Sequence, residues 1–365
     1  MFTAFSELNA VQKLVWSRRT WSAARDMMFV KKFTGGEESM IQMVTELTAD
    51  EKGAKCVMQL VADLVEDGVV GDNEREGREE AMQNYEQTIQ LDLISHGVIS
   101  KGKMEEQKTV INFRNNARSR LAYWLANRVD QLAFLTLSGI AYTFKNNSAP
   151  RTGSAFPNLT FAADVTAPSN LRSLAYNGTA LEVSVTANVT SAYVLSYKAI
   201  VDLVAYAKSH YIKGLMSGGK EYYLFFCDPR TLASLKKDAD YQRAVVGVAT
   251  KSGTDSPWFT GGTVTIDGLV IHEHRLVYNT KGAAGGAKWG AGSNIDGTRS
   301  LLCGAQAMGM ADIGTPDWVE KKFQYDSQTG INVDKMFGLL KPVFFSIYDG
   351  SAQDFGVVTV DTFLP

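Results

Sequence analysis

Between residues 104 and 140, apolar side chains recur at spacings of three and four: Val110, Phe113, Ala117, Leu121, Trp124, Leu125, Leu132 and Leu135. That period lines up one stripe of a helix, and neither Gly nor Pro interrupts the run before Gly139. A continuous helix of about 36 residues would span about 54 Å, more than a typical globular helix. The pattern predicts a spine whose core side chains include Phe113, Leu121, Trp124 and Leu132. A long bundle helix is the plainer alternative, yet no second helical pattern of comparable length accompanies it.

Upstream, residues 55–98 carry a different rhythm. The run KCVMQLVADLV is apolar and β-branched, and QTIQLDLI alternates Ile89, Leu91 and Leu93 with Gln90 and Asp92, the period-two signature of a strand. Between them lies EDGVVGDNEREGREE, with Gly68, Gly71 and Gly77 as turn residues. Two strands joined by a charged tip are predicted, with arms of about ten residues reaching about 33 Å. A hairpin that long is marginal alone in water, so its cover is expected on another subunit.

The first 50 residues hold scattered amphipathic pieces with a slight basic excess, Lys13, Arg18, Arg19, Arg25, Lys31 and Lys32 against Glu7, Asp26, Glu37 and Glu38. They read equally as an extended arm that wraps a neighbour or as a first helix packed on its own domain. From 146 to 195 the chain turns to Ser, Thr, Asn, Ala and Gly, a loop-rich or β-rich stretch. A helix over 197–214, a strand at 222–227 and a helix opened by Asp228 and Pro229 follow. Asp267-Gly268 predicts a tight hairpin turn, and further strands are expected at 301–310, 336–346 and 355–362. The sum is a mixed α+β chain.

Composition changes this picture little. Of 365 residues, 45% are hydrophobic and 21% charged, which excludes disorder as the general state. A net charge of -2 provides no global field to attract a phosphate backbone. Cys56, Cys227 and Cys303 are odd in number and far apart, as expected of reduced intracellular thiols rather than a disulfide framework. The start alternates apolar and polar residues, unlike a signal peptide, and no apolar run is long enough to span a membrane.

Candidate chemistry is thin. His272 and His274 share one face of a strand and could ligate a metal with a third donor, but no other His or Cys is near in sequence. Gly218-Gly219-Lys220 lacks the spacing of a phosphate loop. Cys227 ends an apolar strand, where a thiol serves as a small core residue. Glu74, Glu76, Glu79 and Glu80 would offer paired carboxylates for acid–base work, but they stand beside Arg75 and Arg78 on a Gly-rich tip, which favours ion pairing between subunits or solvation. No catalytic residue, cofactor or metal is predicted.

Three stretches resemble the phage major capsid family typified by the coliphage with a virion-carried RNA polymerase. They are the run from Gly71 to Gly139, the GGTVTIDGLVIHEH segment from Gly261, and the closing GLLKPVFFSIYDGSAQDFGVVTVDTF. The match is collective, covers nearly the whole chain and leaves 146–195 outside it. It implies the Hong Kong 97-type fold of tailed-phage and herpesvirus capsids. By that resemblance the chain divides into an N-terminal arm (1–54), an extended hairpin loop (55–98), a peripheral domain with the spine helix (99–145), an insertion (146–196), an axial domain (197–335) and final strands returning through the peripheral region (336–365).

The same resemblance implies hexamers and pentamers of the chain itself, a portal protein at one vertex, a scaffolding protein during assembly, and a decoration or cement protein. It implies DNA enclosed without sequence-specific contact, no membrane, assembly in the bacterial cytoplasm, and residence in the virion. Some relatives cross-link a hairpin lysine to a distant asparagine. No lysine lies between Lys55 and Lys101, so no such bond is expected here. The rival readings are an encapsulin-like nanocompartment shell and a soluble α+β enzyme.

Overall fold

Every residue of the run Tyr223–Cys227 is buried, which requires a strand covered on both faces. The computed structural model, which describes residues 10–44, 53, 55–61, 64, 66–71, 76, 79–80, 82, 84–108, 113–244 and 264–365, puts that strand near the middle of an eight-stranded sheet.

In chain order, α1 (Ala10–Met27) leads through a 3-10 turn to β1 (Thr34–Gly35) and β2 (Ile41–Val44). A hairpin of β3 (Lys55–Val61) and β4 (Asn84–Gln90) follows, then β5 (Asp92–Ile99), α2 (Lys103–Lys108) and α3 (Phe113–Ser138). Next come β6 (Ser173–Tyr176), β7 (Leu181–Val183), α4 (Tyr197–Ser209), β8 (Leu215–Ser217), β9 (Lys220–Cys227) and α5 (Pro229–Lys237). After β10 (Val264–Ile266), β11 (Leu269–Glu273) and β12 (Gly297–Cys303), a long pair forms from β13 (Met308–Phe323) and β14 (Gln328–Leu340). The chain finishes with β15 (Val343–Ser346), β16 (Ser351–Asp354) and β17 (Val357–Phe363).

Two large sheets result. The larger runs β10-β11-β9-β12-β17-β6-β7, with β8 paired to β9; the smaller runs β1-β2-β13-β14-β5. Strand alternation divides the core of the larger sheet. Tyr223, Phe225, Cys227, Leu302, Val358 and Val360 face α4 and α5, while Leu224, Phe226, Leu301, Cys303 and Val357 face α3. Phe337 and Leu339 of β14 and Ile94 of β5 reach the same α3 cluster from the smaller sheet. Helix α3 is therefore sandwiched, and Leu132–Ser138 is buried on all sides.

Local signals explain the element ends. The Asp228 carboxylate accepts from the Arg230 amide at 2.9 Å and Pro229 opens α5, as the sequence predicts. Asp267 (φ 48°) and Gly268 (φ 81°) close the β10–β11 hairpin. Gly139 (φ 65°) ends α3, where the amide of Ile140 reaches the Leu135 carbonyl at 3.0 Å. Arg299 then clasps the helix end: it donates to both oxygens of Asp361 and to the Ser138 carbonyl at 3.0 Å.

Several expectations are corrected. Along the predicted spine, the described helical residues are the six of α2 and the 26 of α3, the latter about 39 Å long; residues 109–112, with Val110, lie outside the described residues. Among the described residues the hairpin arms pair over seven residues each, about 23 Å, and at the base β4 stops at Gln90 and β5 joins another sheet. That break flips the alternation, so Ile89 and Ile94 are buried whereas Leu93 is exposed. The helix predicted over 197–214 ends at Ser209, where the chain turns through Tyr211 at φ 51°.

Residues 10–44 pack on the chain's own core rather than running free as an arm. Trp21, Ala24, Met28 and Val30 are buried, and the Asp130 carboxylate of α3 accepts the amides of Phe29 at 3.0 Å and Val30 at 3.2 Å. The loop-rich stretch at 146–196 joins the core: β6 pairs with β17, and Phe161, Leu174 and Tyr176 are fully buried. The boundary expected at 335 falls within β14, and β17 pairs with β12 and β6 in the larger sheet, where Val357 faces α3.

Candidate assembly surfaces

The base of the β3–β4 hairpin is anchored on the chain's own core. At its base, Cys56, Met58 and Ile89 pack with Val44, Ala311 and Leu340 in a small buried cluster. Glycines make the approach close: a Cβ on Gly338 would meet the Gln90 carbonyl oxygen at 2.2 Å, and one on Gly309 would meet the ends of Met58 and Ile89 at 2.9 Å. Gln87 adds a peptide-like clasp. Its side-chain amide donates to the Val343 carbonyl, while its oxygen accepts from the Val343 amide at 3.1 Å.

Beyond Val61 and Asn84, several of the described apolar residues are exposed. Val61 is 58% exposed, Leu64 60%, Val70 80% and Met82 72%, so the arm presents apolar side chains to solvent among acidic ones. The exposed apolar surface continues past the hairpin base onto Phe345, Tyr348 and Tyr211, the last two stacked at 3.8 Å beside a groove of about 440 Å³.

Of the predicted tip residues, Glu76 and Glu79 are exposed and Glu80 is half-buried, its carboxylate accepting the Glu66 amide at 2.9 Å. Glu74, Arg75 and Arg78 lie outside the described residues. Of the predicted spine residues, Leu121 and Leu132 are buried, and Phe113 packs partly buried beside Leu121, Trp318 and Ile331. Trp124 is half-buried and stacks on His96 with centroids 4.5 Å apart.

The residues weighed for chemistry have structural partners. His274 stacks against Phe29 at 4.3 Å and Phe134 at 4.9 Å, and burial with Arg275 beside it pushes its pKa down to about 4. Burial, with Lys32 nearby, lowers that of His272 too. Burial pushes the Cys227 thiol up to about 12, away from a nucleophilic thiolate. Gly218 and Gly219 form the two-residue turn of the β8–β9 hairpin. Among the described residues no group of three metal-ligating side chains gathers, and no helix is long and apolar enough to cross a membrane.

A second long hairpin was not evident in the sequence. β13 and β14 pair out to Phe323 and Gln328, and their loop exposes Tyr325 fully. Gly314 and Pro316 disguise β13 as two segments. The structure absorbs them in a bulge between Ile313 and Asp317, where the Lys335 ammonium, paired with Asp312, donates to the carbonyls of Ile313 at 3.0 Å and of Gly314.

The mixed α+β subunit thus carries a hairpin whose base is buried in its own core and whose arm exposes Leu64, Val70 and Met82. The chain belongs to the phage capsid protein family, whose sequence profile matches residues 10–365. It is 52% identical, over 98% of its own length and 97% of the relative's, to the major capsid protein of Pseudomonas phage KPP25. Its fold is similar to the capsid of Ralstonia phage GP4 (TM-score 0.74, 26% identity, 92% of this chain and 91% of that one). It is also similar to the capsid of cyanophage Pam1 (TM-score 0.71, 20% identity, 100% and 96%). Membership of this family makes the chain a structural capsid protein and not an enzyme.

Proposed function

We propose that the chain is the major subunit of an icosahedral phage head, assembling into hexamers and pentamers that close around genomic DNA without reading its sequence. The hairpin carries this reading. Its base is buried under its own sheet while Leu64, Val70 and Met82 stand in solvent. A second copy lying against the arm would remove that apolar area from water at about 25 cal/mol per Å². Repetition over a closed shell multiplies small contacts into a stable wall.

On this reading, α3 and the five-stranded sheet form the peripheral domain, and the eight-stranded sheet with α4 and α5 forms the axial domain. The partners are a portal protein at one vertex, a scaffolding protein during assembly and a decoration or cement protein, with assembly in the host bacterial cytoplasm. An encapsulin-like shell would enclose a cargo enzyme instead of DNA. The full-length likeness to a phage major capsid protein favours the phage head.

The charged tip supplies the test. Exposed ion pairs are worth about 0–1 kcal/mol each, so a single substitution should be silent. Arg75→Glu and Arg78→Glu together should abolish most particle formation while the subunit keeps its native melting temperature. Normal particle yield from the folded double variant would refute the tip's role.

A further inference from the structure

Arg230, whose side chain is 42% exposed, holds one guanidinium nitrogen, Nη1, that is out of solvent and without a hydrogen-bond partner among the described residues. Beside it opens a cavity of about 320 Å³ whose lining includes Asn147, Asp228, Arg230, Arg275, Asn279 and Lys281. Three cations there face one carboxylate, and that carboxylate is committed. Asp228 accepts the Arg230 amide at 2.9 Å and the Asn279 side chain at 3.4 Å, with the Arg230 Nε 3.9 Å away. Arg275 donates to the Tyr123 hydroxyl at 3.1 Å, a neutral partner that leaves its charge uncompensated.

The cavity walls are fixed by backbone contacts. The Asn279 amide reaches the Asn146 carbonyl at 2.9 Å, the Gly282 amide reaches the Asn147 carbonyl at 2.7 Å, and a Cβ on Gly282 would collide with Asn147. A cationic donor left unpaired out of water is costly, and an oxyanion can accept from guanidinium and ammonium groups together. We propose that this cavity binds a phosphate-type oxyanion, either free or as the phosphodiester of enclosed nucleic acid. With a net charge of only -2 the whole chain exerts no long-range attraction, so the contact is local and insensitive to base sequence. The proposal is independent of the hairpin contact.

Calorimetric titration of the purified full-length chain in phosphate-free buffer tests it, with inorganic phosphate and a DNA duplex of about 12 base pairs as separate probes. Saturable phosphate binding is expected, weakened by about tenfold or more in the double variant Arg230→Gln, Lys281→Gln at unchanged melting temperature. Duplex binding that weakens in the same variant assigns the site to phosphodiesters, whereas phosphate binding alone assigns it to the free anion. Should the double variant melt early, Lys281→Gln alone, on an exposed side chain, makes the same comparison with a smaller expected loss. Absence of saturable phosphate binding to the native chain, or undiminished binding by a folded variant, overturns the proposal.

Discussion

Gly338 lies directly against Gln90, so close that a single added carbon would stand 2.2 Å from the Gln90 carbonyl oxygen. The hairpin's second strand therefore rests on the backbone of β14, with no side chain between them. That contact, together with the Gln87 clasp on Val343 and the buried cluster of Cys56, Met58 and Ile89, seats the hairpin base.

Gly338→Ala should displace the hairpin base, because its obstacle is backbone that cannot yield, at about 1–3 kcal/mol. Gly309→Ala meets only the flexible ends of Met58 and Ile89 and should cost less. Hydrogen exchange at residues 84–90 is the readout. Faster exchange in the Gly338 variant than in the Gly309 variant is expected, and the reverse order would remove the seat from the explanation.

Leu132→Ala should cost about 2–5 kcal/mol, since Leu132 is completely buried where both sheets meet α3. Trp124→Ala should cost less despite the larger truncation, because the ring is half-buried and loses mainly its stack on His96. Melting temperatures of the two unassembled variants settle the order. A more damaging Trp124 variant would place that residue deeper than the structure does.

Acid should weaken the subunit through His274. Its pKa is about 4 when folded and near 6.5 when unfolded, so within that window the unfolded chain takes up a proton the folded chain refuses. The group's contribution is complete above about pH 6.5 and falls toward about pH 4; with partial solvent contact it amounts to about 1–2 kcal/mol. Asp130 acts oppositely. Burial raises its pKa to about 6, so its contribution is complete below about pH 3.9 and is lost as pH rises through about 6. His274→Phe retains a ring between Phe29 and Phe134 and removes only the titration. Between about pH 7.5 and about pH 4.5 its melting temperature should drop less than the native protein's, and an equal drop would exclude His274 as the cause.

Mature particles should contain no covalent cross-link from the distal hairpin, since no lysine lies between Lys55 and Lys101. Boiled particles in denaturing electrophoresis should give one band at the mass of the 365-residue chain. A ladder of oligomers would contradict this.

What the sequence showed and what it hid follow from how far each signal reaches. The α3 stripe, the Asp228-Pro229 start of α5 and the Asp267-Gly268 turn are local patterns with local causes, and all three appear in the structure. The β13–β14 pair stayed hidden because Gly314 and Pro316 look like strand breakers, and the bulge is held by Lys335 and by Ser17, whose hydroxyl donates to the Pro316 carbonyl from far along the chain. The end of α4 was hidden for a related reason: Tyr211 takes the left-handed turn where Gly usually signals a stop. The hairpin's charged tip was legible as composition, while its seat on Gly309 and Gly338 depends on a contact that no local pattern encodes.

Electron cryomicroscopy of the particles formed by the expressed chain reads the subunit contacts directly. The expected result is closed shells in which residues 55–90 of each subunit lie against a second copy, covering Leu64, Val70 and Met82. Small soluble oligomers, or shells in which the hairpin contacts only its own subunit, would contradict the role assigned to it.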